Sequence, residues 1–163
     1  MRLQKVSTAL LLVLTNILLV GPAAAATATT TFQVTANVNV ACTIQATALD
    51  FTTYALVQLD VQSQIGLVCT NTAQWAIGLN AGTFPGATVT TRAMTGPPTF
   101  HLNYSLFADP AHSINWGNTV GTDTVSGVGT GAVEIVNVYG RIPAAQNVGP
   151  GGYADTITAT VTF

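Results

Sequence analysis

The chain has 163 residues, of which 48% are hydrophobic and 6% charged, and its formal net charge is −2. Its basic side chains are Arg2, Lys5, Arg92 and Arg141, too few to neutralise many phosphates, which excludes nucleic acid as a partner and argues against anionic lipid heads. Mean hydropathy is positive. A chain this poor in charge stays in solution by burying apolar surface in an assembly, or by using threonine and asparagine in place of charge.

The N-terminus runs through Met1-Arg2-Leu3-Gln4-Lys5, an apolar stretch from Ala9 to Val20, Gly21-Pro22 and four alanines from Ala23 to Ala26. This is the order of a secretory signal peptide, cleaved after Ala25 or Ala26. Asn16 interrupts the apolar run, which falls short of the ~20 residues a membrane span needs. Cleavage leaves Arg92 and Arg141 against Asp50, Asp60, Asp109, Asp123, Glu134 and Asp155. It also leaves Cys42 and Cys69 in a chain bound for an oxidising compartment, so one disulfide between them is expected.

Beyond the leader no stretch has the 3.6-residue period of an amphipathic helix. Residues 30–40 alternate instead, with Phe32, Val34, Ala36, Val38 and Val40 on one face. The same alternation suits an ordinary first strand and a segment that leaves its own domain. Further strands are predicted at Cys42–Ala48, Ser63–Cys69, Trp75–Asn80, Thr99–Ala108, Gly131–Ile142 and Asp155–Phe163. The last of these places Ile157, Ala159, Val161 and Phe163 on one face. Turns fall at Phe84-Pro85-Gly86, Gly96-Pro97-Pro98, Asp109-Pro110 and Gly149-Pro150-Gly151-Gly152, and Gly117 to Gly131 has the composition of a long surface loop. Short alternating strands between marked turns predict a single all-β sandwich domain.

The residues that could carry chemistry have simpler readings. His101 and His112 flank Asp109, but His101 belongs to a strand face and the other two to the Asp-Pro turn after it. No third histidine or thiolate is at hand to complete a zinc site. Gly127-Val128-Gly129-Thr130-Gly131 lacks the lysine of a phosphate loop. The carboxylates are scattered, and Arg92 and Arg141 have the look of ion-pair partners or solvated ends. No enzyme, cofactor or metal is predicted. Trp75, Trp116, Tyr104 and Phe107 could stack a sugar; Trp75 and Tyr104 suit the core, which makes Trp116 the best candidate for an exposed role.

Several pieces together resemble the spore coat protein U family, across essentially the whole mature chain. They are Val40-Ala41-Cys42-Thr43-Ile44, Leu67-Val68-Cys69-Thr70, Ala76 through Gly82, and Arg92-Ala93-Met94. Leu102 through Phe107, Trp116-Gly117, Val138 through Ile142, and the ending from Gly152 to Phe163 complete the set. The resemblance implies an immunoglobulin-like sandwich that lacks its final strand and is completed by a donor strand, as in archaic chaperone-usher pili. It implies a signal peptide at 1–26, a donor-strand extension at 27–38 and a pilin-type body at 39–163. Phe32, Val34, Ala36 and Val38 would be donor anchors. Ile157, Ala159, Val161 and Phe163 would line the acceptor groove and meet a chaperone. The implied partners are a periplasmic chaperone, an outer-membrane usher and further pilins, and the implied place is a cell-surface fibre serving attachment or biofilm formation. A monomeric secreted carbohydrate-binding or coat protein, with its site near Trp116, is the alternative.

Overall fold

The computed structural model describes residue 21 and residues 24–163, so the leader predicted at 1–26 lies largely outside the described residues. Two units divide the chain, Met1–Ala36 and Asn37–Phe163. Among the described residues the second unit carries every strand, and no helix forms. In chain order the strands are β1 (Cys42–Ala46), β2 (Leu59–Cys69), β3 (Gln74–Leu79), β4 (Arg92–Thr95), β5 (His101–Phe107), β6 (Val125–Val128), β7 (Glu134–Ile142) and β8 (Ala159–Thr162).

Antiparallel pairing builds one sheet in the order β1-β2-β7-β5-β4 and a second in the order β6-β3-β8. Period-two patterning decides which side chains meet between them. Ile65, Leu67 and Cys69 of β2, Leu102, Tyr104 and Leu106 of β5, and Val138 and Ile142 of β7 are buried with Trp75, Ile77 and Leu79 of β3 in one core. β3 is apolar almost throughout and β5 alternates cleanly, as their central and two-sided positions require. Cys42 and Cys69 are joined in a disulfide that fastens β1 to β2 at a paired position of the ladder. Closing a loop with a sequence separation of 27 stabilises the fold by about 3 to 4 kcal/mol on the chain-entropy account.

Several expectations need correction. Residues 30–40 form no strand, because alternation alone cannot hold a strand without a partner. The supposed loop at 117–131 contains β6, whose Gly127 lies so close to the Trp75 ring that a Cβ there would collide with it. β4 was not anticipated, β2 starts at Leu59 rather than Ser63, and the C-terminal strand is confined to Ala159–Thr162. Trp116, the best candidate for an exposed role, is 0% exposed, and its indole N–H donates to the Ile77 carbonyl at 2.8 Å.

Arg92 is neither an ion-pair partner nor a solvated end. It is fully buried, and its guanidinium donates to the carbonyls of Asn80 (2.8 Å), Val89 (2.7 Å), Leu79 (2.9 Å) and Trp116 (2.8 Å). Those carbonyls belong to chain segments that leave the ladder, where backbone acceptors would otherwise be orphaned. Burial holds the Arg92 pKa below its ordinary value, with Tyr104, Asp155 and Asp123 acting in the opposite direction.

An open groove between β1 and β8 is the candidate functional site

Among the described residues β1 is laddered only to β2, and β8 only to β3, so each of these strands has one unpaired edge. The two lie in different sheets and approach each other across the sandwich. A groove of about 470 Å³ opens along this side. Its floor is the core itself, since buried Ile65, Leu79, Leu106 and Val138 all line it. Ala46 and Leu49 close it on the β1 side, Ile157 and Ala159 on the β8 side. An intact sandwich would cover these side chains with a strand joined to both edges.

The predicted groove residues divide in two. Ile157 and Ala159 are in the wall. Val161 packs half-buried against the core outside it, and Phe163 is 56% exposed. Residues 24–36, taken by themselves, contain no strand, and Phe32 and Val34 are 85% and 82% exposed. Ala36 is exposed too, as is Val38 at the start of the second unit.

Sequence reading missed the parts of the groove supplied by loops. Phe51 and Tyr153 line it, but they are single aromatics in stretches without periodicity. One signal was present. Gly140 interrupts an otherwise bulky β7, and a Cβ there would come within 2.9 Å of Leu49 and Phe51, so the glycine seats the loop that closes the groove.

Asp155 is the polar centre of the wall. One of its oxygens accepts from the Thr83 N–H, the Thr83 hydroxyl and the Thr156 N–H, each at 2.7 Å, and the other accepts from the Tyr104 hydroxyl at 2.7 Å. Burial works to raise this carboxyl, but the hydrogen bonds from Thr83, Tyr104 and Thr156 outweigh it and hold the pKa below the ordinary value. Burial, followed by the Asp155 carboxylate, pushes the Tyr104 phenol well above its ordinary range. Tyr104 is therefore a fixed donor across the pH range of life.

The other polar residues do not converge on a reaction centre. Asp109 accepts from the Ser113 N–H and hydroxyl and the Ile114 N–H, with the Ile114 bond the largest cause of its lowered pKa. His101 packs on Phe84 with ring centroids 5.0 Å apart, and His112 lies edge-on to Phe107 and Tyr139. Arg141 grips Asp60 through two nitrogens, at 2.6 and 2.8 Å. Among the described residues no three potential metal ligands come together.

An all-β sandwich of immunoglobulin type, open to its core between two unpaired edges, is the class that fold and groove define. A spore coat protein U domain matches residues 28–160, and the chain belongs to that family. It is 38% identical over 159 residues to Protein U of Myxococcus xanthus, an alignment covering 87% of this chain and 88% of that protein. Among solved structures it is similar to a chain of the CsuC-CsuE complex, a chaperone with a tip adhesion subunit before assembly, from archaic chaperone-usher Csu pili of Acinetobacter baumannii. There the TM-score is 0.58 and the identity 27%, over 77% of this chain. The chain spans 40% of the length of that structural relative.

Proposed function

We propose that this protein is a structural subunit of a secreted pilus or coat fibre, assembled by donor-strand exchange and serving attachment or biofilm formation. The observation that carries this reading is the groove whose floor is the hydrophobic core, flanked by the open edges of β1 and β8. Strand addition to an exposed sheet edge is the known mode of chaperone–pilin complementation. Phe32, Val34, Ala36 and Val38 of one copy supply the alternating apolar face of the donor, and the groove bounded by Ile157 and Ala159, continued by Val161 and Phe163, receives it. Burial of those donor side chains contributes on the order of 5 to 10 kcal/mol before ordering costs. Until a neighbour arrives, a periplasmic chaperone covers the groove, and an outer-membrane usher exchanges the two. Family membership and the chaperone-bound structural relative support these partners and the passage through the periplasm to the cell surface. The role is mechanical and has no catalytic step.

The test compares the full chain with a version lacking Thr27 to Val38, both exported with the matching chaperone and run unboiled on a gel. The full chain is expected to give a detergent-resistant ladder that the truncated one does not. If both run as the same folded monomer without a chaperone, the reading is wrong.

A further inference from the structure

A second cavity, of about 700 Å³, opens beside the groove between the 49–56 and 147–153 loops. Its volume is typical of sites for small ligands, which span roughly 300 to 1,000 Å³. Buried Phe51, Leu102 and Ile142 contribute apolar surface, and Tyr54 and Tyr153 contribute aromatic surface. Both tyrosine hydroxyls are committed elsewhere. Tyr54 donates to the Pro143 carbonyl and accepts from the Gln146 N–H, each at 2.9 Å, and Tyr153 donates to the Gly149 carbonyl at 2.6 Å. Anchored at their tips, the rings offer fixed apolar surface instead of hydrogen bonds. Polar capacity comes from Asp50 and Asn147, both exposed. Asp50 uses Oδ1 to accept from the Thr52 N–H at 2.7 Å. Its Oδ2 and the Asn147 amide have no hydrogen-bond partner among the described residues. Thr52 and Leu56 hold φ values of 59° and 64°, a region that residues other than glycine seldom occupy and that recurs at ligand sites.

Charge and topology narrow the ligand. The acidic side chain in this lining is Asp50, while Arg92 is sealed in the core and Arg141 is paired with Asp60, so nothing here attracts phosphate or sulfate. The cavity is bounded largely by loops and not by an open strand edge, so an extended peptide finds no ladder to join. What fits is a compact molecule without negative charge, with one apolar face and several hydroxyl donors. We propose that this cavity binds a neutral glycan, with a sugar ring against Tyr54 or Tyr153 and its hydroxyls on Asp50 and Asn147. The cavity shares Leu49, Phe51, Met94 and Tyr153 with the groove, whereas Asp50, Tyr54 and Asn147 line the cavity alone.

The test applies the secreted full-length chain to an array of neutral, sialylated and sulfated oligosaccharides, then titrates any ligand found against Asp50→Asn and Asn147→Ala. Asn at position 50 retains an Oδ1 acceptor for Thr52, and near-ultraviolet circular dichroism checks that both variants remain folded. A neutral glycan should bind, and each variant should weaken it about tenfold or more, the loss expected for a ligand hydrogen bond. No binding at millimolar sugar, preference for the anionic glycans, or binding that both folded variants retain would each overturn the proposal.

Discussion

Asp155 illustrates how a single carboxylate ties three pieces of chain that share no ladder: the 80–83 turn, β5 and the approach to β8. Its pKa is depressed from 3.8, so the stability it contributes is fully present above that value and is lost as pH falls through the lower folded value. Thermal melts of the purified chain should therefore lose stability below about pH 4, where carboxylates of this kind begin to protonate. Asp155→Asn should be less stable at neutral pH and should flatten that acid slope. Asp60 and Asp109, both also lowered, keep part of the slope in the variant. An unchanged slope would show that Asp155 does not couple folding to pH. Arg92 solves the complementary problem, since its planar fork can reach four carbonyls that a lysine could not serve together.

Elements were legible where hydrophobic alternation coincided with pairing. β3, β5 and the second half of β2 could be placed from period-two patterning, and β7 from its apolar density. β4 was hidden because Arg92 looks like a surface residue until its carbonyl partners are known, and β6 because Ser126-Gly127 has the composition of a turn. The opposite error occurred at 30–40, where a strong pattern exists without a partner strand. The groove was legible only at Ile157 and Ala159, because loops carrying Leu49, Phe51 and Tyr153 form much of the rest and loops have no period. Ala159 gives the element its own test. On the unboiled gel, Ala159→Arg, which fills the wall of the groove, should abolish the ladder. Thr160→Arg, on the exposed face of the same strand, should retain it. Equal ladders from both would separate assembly from this groove.

At the scale of the molecule, the proposed donor segment and acceptor groove would make a heterologous contact, which repeats into a filament unless it closes. The open edges of β1 and β8 would be an aggregation hazard in an ordinary sandwich. Here, on the proposed reading, the same hazard is the assembly device, and a chaperone has to contain it.

The two arginines past residue 26 have a practical corollary. Trypsin needs a lysine or arginine that can be drawn, in extended form, into its active site, and this part of the chain has no lysine at all. Arg92 is sealed inside, and Arg141 lies within β7 in the grip of Asp60. The folded protein should survive prolonged digestion as one intact band, whereas the same protein in urea should yield fragments ending at Arg92 and Arg141. Cutting under native conditions would show that one of these arginines is released without global unfolding. On the proposed reading, a fibre of such subunits would resist trypsin-like proteases with no armour beyond the placement of two side chains.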